Sequence, residues 1–168
     1  MYYCEAPLPV PNEAYLKPSV FLAGGITGCL NWQGEIRKLL ADFDLTLLNP
    51  RRADFPMDDP DAAEAQILWE HQQLHAATAV SFWFPPETLC PITLFELGAW
   101  SHWQGQRFDA ETQTQTLCRK PIFVGAHPNY QRRQDILIQM KLQRPEVAVV
   151  STLDELARQI AQWVIQVV

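Results

Sequence analysis

Short apolar runs alternate with segments of helical spacing along most of the chain. The runs are nearly continuous in apolar residues, as strands covered on both faces are, and they predict strands at residues 19–23, 46–49, 79–84, 121–125 and 147–150. Apolar residues recur every three or four positions in the other segments, which predicts helices at residues 32–43, 61–77, 92–104, 130–142 and 153–167. This alternation predicts an α/β domain with a doubly wound five-stranded parallel sheet, Rossmann-like or flavodoxin-like, with the first strand central and helices on both faces.

The chain of 168 residues has the length of about one domain. Prolines crowd its beginning, so residues 1–18 are predicted to form an extended arm and residues 19–168 the α/β domain. The polar stretch 104–116, rich in Gln and Thr, is predicted to be an excursion on the surface.

Charge and composition narrow the partners. A net charge of −6 offers no basic face for a phosphate backbone, so long nucleic acid is not an expected partner. No apolar run approaches the roughly 20 residues that cross a bilayer, so no membrane partner is expected either. The four cysteines are widely spaced and form no C-x-x-C pair, which favours reduced thiols and a cytoplasmic location. Small molecules are the class of partner that this composition leaves open.

The loop after the first predicted strand is a candidate ligand-binding segment. Ligands of open α/β sheets bind beyond the carboxyl ends of the strands, where this chain has Gly24-Gly25-Ile26-Thr27-Gly28. Its glycines either present backbone N–H groups to an oxygen-rich ligand or only turn the chain tightly. The loop matches neither the dinucleotide fingerprint nor a P-loop, and no cofactor is expected.

Two glutamates stand on otherwise apolar helical stripes. Glu96 shares its predicted face with Ile92, Phe95, Ala99 and Trp103, and Glu70 shares its face with Ile67, Leu74 and Ala77. Both carboxylates are therefore expected to point inward, although a glutamate at the margin of a stripe could also reach solvent along its flexible stem. A buried carboxylate needs a partner or a proton.

A catalytic pair is the sharper interpretation of the two glutamates. Glu96 follows the predicted helix start closely, where the helix dipole favours an ionised carboxylate, while apolar neighbours favour a protonated Glu70. One ionised nucleophile and one carboxylic acid is the division of labour that cleaves a bond to the anomeric carbon of a sugar.

The block 66–98 resembles the nucleoside 2-deoxyribosyltransferase family and its nucleotide N-glycosidase relatives. Its most specific element is Glu96-Leu97-Gly98 with a second acid, Glu70, 26 residues before Glu96, and the similarity extends over about residues 19–135. The resemblance implies that Glu96 attacks C1′ of a nucleoside or nucleotide and that Glu70 handles the base. It also implies a homo-oligomer, a dimer or larger, whose sites borrow a residue from the neighbour.

The chain departs from the transferase pattern at two positions. Cys90 stands six residues before the nucleophile, where an aspartate is usual, and Phe21 replaces a tyrosine on the first strand. Glu87, in the same loop as Cys90, is an alternative source of a carboxylate. The base, the sugar, the presence of a 5′-phosphate and the acceptor, water or a second base, stay open.

Other candidate residues carry weaker signals. Asn129, after the fourth predicted strand, could bind a sugar or a neighbour's ligand, or simply cap a helix. His71 and His75 have the i, i+4 spacing of zinc ligands but no evident third ligand, so no metal site is predicted. Two function classes follow: an enzyme that cleaves or transfers an N-glycosidic bond, or a nucleotide-binding or interaction module of the same fold with weakened catalysis.

Overall fold

Eight strands and five α-helices make up the described part of the chain. The computed structural model describes residues 1–56, 59–109 and 113–168, with the backbone alone at residues 60, 107–109 and 114. The strands are β1 (Tyr2–Glu5), β2 (Ser19–Gly24), β3 (Thr46–Asn49), β4 (Ala79–Phe84), β5 (Gln104–Asp109), β6 (Thr114–Arg119), β7 (Ile122–Ala126) and β8 (Val149–Val150). The helices are α1 (Trp32–Leu39), α2 (Pro60–Ala76), α3 (Pro91–His102), α4 (Arg133–Gln143) and α5 (Leu153–Val167), and a 3-10 helix spans Asn12–Leu16.

Six of the strands form one parallel sheet in the order β1-β3-β2-β4-β7-β8. The first predicted strand, β2, is central between β3 and β4, as the sequence predicts. The predicted count of five strands is wrong, because β1 pairs with β3 from Tyr2 opposite Thr46 to Glu5 opposite Asn49. An edge strand of four partly exposed residues lacks the continuous apolar run that marks a strand covered on both faces. The division of the chain at residue 18 stays a prediction.

Helices cover both faces of the sheet and enclose two cores. Helices α2, α3 and α4 pack on one face, where Trp69, Leu74, Leu97, Trp100, Ile136 and Met140 are buried against the sheet. Helices α1 and α5 pack on the other face, where Trp32, Ile36, Leu156, Ile160 and Val164 are buried. The doubly wound α/β class predicted from the alternation is therefore confirmed.

The stretch predicted as a surface excursion contains an antiparallel hairpin. Strands β5 and β6 pair from Gln104 opposite Arg119 to Asp109 opposite Thr114, apart from the main sheet. Residues 110–112 of the predicted excursion lie outside the described residues. The hairpin lies between the carboxyl end of α3 and the start of β7, so it does not interrupt the β-α order of the main sheet.

The predicted phase of α3 is wrong. Ile92 and Phe95, expected to face the core with Glu96, are 66% and 76% exposed, and the buried residues of the helix are Thr93, Leu97, Trp100 and Ser101. Ile67 on α2, also predicted to face inward, is 66% exposed. The circumference of α3 is apolar on opposite sides, so helical spacing could not select the side that faces the sheet. Glu96 lies half-buried between the two sides.

Ser19 and Thr78 join the amino ends of β2 and β4, the two strands whose carboxyl ends flank the cavity described below. The Ser19 N–H donates to Thr78 Oγ1 at 2.7 Å, Thr78 Oγ1 donates to the Ser19 carbonyl at 2.8 Å, and the Thr78 N–H donates to Ser19 Oγ at 3.0 Å. Ser19 is buried, so these groups depend on each other.

Thr78→Val removes the hydroxyl while keeping the shape of the side chain. The Ser19 N–H and carbonyl then lose their partner, and we expect the free energy of unfolding to fall by about 1–3 kcal/mol. Urea denaturation followed by circular dichroism measures this change. Thr27→Val is the control, since Thr27 is exposed and its side chain forms no hydrogen bond within the described residues. An equal effect of both substitutions would contradict a special role for Thr78.

Candidate active site

A cavity of about 260 Å³ lies at the carboxyl ends of β2 and β4, between the loop after β2 and the start of α3. Seven residues predicted for the site line it: Gly24, Gly25, Ile26, Thr27, Glu70, Cys90 and Glu96. The two glutamates come from different helices, Glu70 from the middle of α2 and Glu96 from the second turn of α3. The cavity therefore brings both carboxyl groups to the edge of the sheet where ligands of this fold class bind.

Several lining residues were not among the predicted site residues. They are Phe21, Ala23, Pro50, Thr88, Pro91, Ile92 and Thr93. Thr88 and Thr93 add two hydroxyl groups beside the start of α3. Their only sequence signal is proximity to Cys90, because threonine is common in loops and at helix starts.

Three described residues predicted to bind substrate do not line this cavity: Gly28, Glu87 and Asn129. Glu87 lines a separate crevice of about 580 Å³ on the α1 side of the sheet, together with Trp32, Trp83 and His127. Pro85 and Pro86 lead the chain toward that side after β4. Asn129 is exposed, and its backbone N–H donates to His127 Nδ1 at 3.1 Å. The alternative carboxylate of Glu87 thus lies apart from Glu70 and Glu96.

Two glycines shape the loop after β2. Gly28 has φ +71°, a left-handed conformation that side chains disfavour, so its role is to turn the chain. A Cβ atom on Gly25 would lie 2.7 Å from Cys29 Sγ and 2.9 Å from Cys90 Sγ, closer than real Cβ atoms approach sulfur. Gly25 therefore allows the loop to pack directly on the start of α3.

Arg51 and Trp32 hold the same loop through its carbonyl groups. Arg51 Nη2 donates to the Leu30 carbonyl at 3.0 Å and to the Cys29 carbonyl at 3.4 Å, while its Nε donates to Gln33 Oε1 at 2.8 Å. Trp32 Nε1 donates to the Gly25 carbonyl at 2.9 Å. The Arg51 guanidinium thus donates to protein oxygens that hold this wall of the cavity.

The carboxyl group of Glu96 is hard to ionise. Burial first, and the charge of Glu70 second, raise the pKa of Glu96 from 4.5 to about 8. Within the described residues no hydrogen bond to the carboxylate opposes this rise. Glu96 sits in the second turn of α3, beyond the first-turn N–H groups that stabilise a negative charge at a helix start.

The carboxyl group of Glu70 has a donor that Glu96 lacks. Burial also raises the pKa of Glu70, but a hydrogen bond from Gln66 Nε2 to Glu70 Oε1 at 2.7 Å opposes the rise. In the unliganded protein Glu96 therefore holds the proton at neutral pH more firmly than Glu70 does. The sequence predicts the opposite order, because Glu96 follows the predicted helix start closely, whereas in the structure it lies in the second turn.

The cavity opens onto an apolar groove between α2 and α3. The groove has a volume of about 590 Å³ and shares Glu70, Ile92 and Glu96 with the cavity. Its other lining residues are Ile67, His71, Leu74, His75, Phe95, Ala99, Trp100 and Trp103. His71 and His75 belong to this groove, and the described residues contain no group of three or more side chains placed to hold a metal ion.

The raised pKa of Glu96 has a consequence for stability. A carboxyl group that binds its proton more tightly when folded lowers the free energy of unfolding as the pH rises from about 4.5 to about 8. Glu96→Gln removes this titration. We expect the variant to be more stable than the unmodified protein at pH 8, by about 2–4 kcal/mol, with the difference shrinking toward pH 4.

Thermal or urea unfolding at several pH values tests this expectation. Glu64→Gln is the control, because Glu64 is exposed on the same side of the sheet, on α2, and should change stability little at any pH. Equal stabilities of Glu96→Gln and the unmodified protein at pH 8 would show that ionising Glu96 carries no cost in the folded state.

Comparison with known proteins agrees with the resemblance seen in the block 66–98. No helix within the described residues is long and apolar enough to cross a membrane. No curated protein sequence matches the chain. A family model described as nucleoside 2-deoxyribosyltransferase like matches residues 17–110, more than half of the chain. The match runs from the start of β2 past α3 and includes the glycine loop and both glutamates, and the chain belongs to the nucleoside 2-deoxyribosyltransferase-like family.

Proposed function

We propose that the protein cleaves or transfers the N-glycosidic bond of a (deoxy)nucleoside or nucleoside 5′-monophosphate. The observation that carries this proposal is the pairing of Glu70 and Glu96 in one cavity, where the charge of Glu70 contributes to the raised pKa of Glu96. Two coupled carboxyl groups that share one proton can act as a nucleophile and a general acid. The hydroxyl groups of Thr88 and Thr93 and the loop at Gly24–Thr27 offer polar contacts for a sugar or phosphate.

The first step requires one proton on the pair, carried by Glu70. Moving that proton from Glu96 to Glu70 changes no net charge and makes Glu96 the anion. A Glu96 oxygen then attacks C1′, the C1′–N bond breaks, and the base leaves with its bonding electrons and the proton of Glu70. The products are a free base, a glycosyl ester on Glu96 and an ionised Glu70.

The second step reverses the roles. Water, or the nitrogen of a second base, attacks C1′ of the ester and gives its proton to Glu70, while the Glu96 oxygen leaves as a carboxylate. Water as the acceptor makes the protein a hydrolase, and a base makes it a transferase. The pair then again contains one proton and no net change of either residue has occurred.

Two substitutions separate the roles of the glutamates. A panel of nucleosides and 5′-monophosphates, with free base measured by chromatography, first identifies a substrate. On that substrate Glu96→Gln should lower turnover by on the order of 10³-fold or more while binding is retained. Glu70→Gln should lower it by about 10²- to 10⁴-fold, and least for bases that leave without protonation.

The exposed Glu64→Gln is the control for these assays and should retain full activity. Unchanged release of base by Glu96→Gln would refute the covalent mechanism. A glycosyl ester detected on the unmodified protein by mass spectrometry, and missing from Glu96→Gln, would support it directly.

A catalytically weakened binding module is the second candidate function. Phe21 and Cys90 both line the cavity, and they supply no hydroxyl or carboxylate where transferases of the family carry tyrosine and aspartate. Burial raises the pKa of the Cys90 thiol to about 11, so this position holds no charge at neutral pH. Calorimetric binding of a nucleotide without release of base would favour this candidate.

We also propose that a second copy of the chain covers the groove between α2 and α3. Ile67, Ile92 and Phe95 are 66–76% exposed there, which amounts to roughly 400 Å² of apolar surface, half of the about 800 Å² that each partner of a stable interface buries. Because the groove continues into the cavity through Glu70 and Glu96, a second copy in the groove would close the open side of the site.

Phe95→Glu places a charge in the middle of this groove. We expect the unmodified protein to sediment as a dimer or larger at micromolar concentration and Phe95→Glu to sediment as a monomer, since an unpaired charge is costly to bury. Leu142→Glu is the matched control, because Leu142 on α4 is 74% exposed, close to the 76% of Phe95, and lies outside the groove. A monomeric unmodified protein would contradict the proposal.

A further inference from the structure

Gln66 is a buried polar residue one turn before Glu70 on α2. Its Nε2 atom donates two hydrogen bonds, one to the Pro50 carbonyl at 2.7 Å and one to Glu70 Oε1 at 2.7 Å. Pro50 follows β3 and lines the same cavity as Glu70. Gln66 thus connects the loop after β3 to a carboxyl group of the candidate active site.

The Pro50 carbonyl fixes the orientation of the Gln66 amide. A carbonyl oxygen can only accept, so the NH₂ group and not Oε1 of Gln66 must face Pro50. The second hydrogen of the same NH₂ group points at Glu70 Oε1. A flipped amide would place two oxygen atoms against each other and leave the buried Pro50 carbonyl without a donor.

The fixed amide restricts where Glu70 carries a proton. Oε1 accepts from Gln66, so a proton on Oε1 would oppose the donor of Gln66, and a proton is carried on Oε2 instead. We propose that Gln66 is a positioning residue that keeps the Glu70 proton on Oε2 and favours the ionised form of Glu70 over that of Glu96. Its catalytic consequence rests on the proposed function, whereas the placement of the proton concerns the unliganded protein.

The surroundings leave Gln66 as the group that distinguishes the two glutamates. Glu96 on α3 lines the same cavity as Glu70, and the charge of Glu70 raises the pKa of Glu96. The Cys90 thiol at the start of α3 is neutral, His71 and His75 line the groove on α2, and Arg51 is bound to loop carbonyls. Of the described residues, only Gln66 donates a hydrogen bond to either carboxyl group of the pair.

Carboxyl carbon NMR of protein labelled with ¹³C-glutamate tests the proposal without any substrate. In the unmodified protein Glu70 should titrate at a lower pH than Glu96, and the Gln66 side-chain amide signals should move in step with Glu70. In Gln66→Met, which keeps the size but removes the donor, the midpoint of Glu70 should rise by roughly one unit and that of Glu96 should fall. Gln73→Met is the matched control, because Gln73 is also buried on α2 but contacts Tyr15, and it should leave both midpoints in place.

Two results would overturn the role of Gln66. One is an unchanged pair of midpoints in a folded Gln66→Met protein. The other is seen in the unmodified protein, so it also applies if Gln66→Met does not fold. It is the absence of any shift of the Gln66 side-chain amide signals while Glu70 titrates. A failure to release base from any substrate would refute the proposed function. It would not affect the NMR test of Gln66, which needs no substrate. If the protein is active, the alkaline limb of its pH profile, at which the pair loses its last proton, should move to higher pH in Gln66→Met, because the doubly ionised pair then lacks the donor to Glu70.

Discussion

The parallel pairing of β2 with both β3 and β4 is the constraint on which the rest of the structure depends. Because all three strands run the same way, the loops that follow them emerge at one edge, and the chain turns to opposite faces of the sheet on leaving β2 and β4. The gap between those departing segments is the cavity. Glu70 and Glu96 reach it from helices that pack on the same face, so the position of each carboxyl group follows from the order of the strands.

The cavity places two carboxyl groups in partly buried positions, and their surroundings differ. Glu70 has a hydrogen-bond donor in Gln66, and Glu96 has none among the described residues. Because their surroundings differ, two chemically identical side chains have different pKa values. One glutamate can then act as a nucleophile and the other as an acid. The stability that ionising Glu96 is predicted to cost is of the kind that functional sites commonly carry.

Much of the fold could be predicted from the sequence because local patterns determine it. The strands Thr46–Asn49 and Ala79–Phe84 and the helix Leu153–Val167 have the predicted bounds, since each is a long or uniform pattern with clear ends. Strand β1 was missed because its pairing with β3 is a long-range contact. The phase of α3 was missed because a helix that is apolar on two sides has no unique inward face.

The lining of the cavity could be predicted from the sequence to the extent that strand order places residues at one edge. Gly24 to Thr27, Cys90 and both glutamates follow from that rule and from the Glu96-Leu97-Gly98 motif. Glu87 and Asn129 were expected there on position alone, but the path of a loop after a strand depends on local packing, such as Pro85 against Gly25. The backbone of Cys90 lies at φ 48°, a left-handed conformation that aspartate and asparagine adopt more readily than cysteine. The main chain at residue 90 therefore suits an aspartate at least as well as the cysteine that stands there, and a carboxylate at this point would need no change in the backbone at the start of α3.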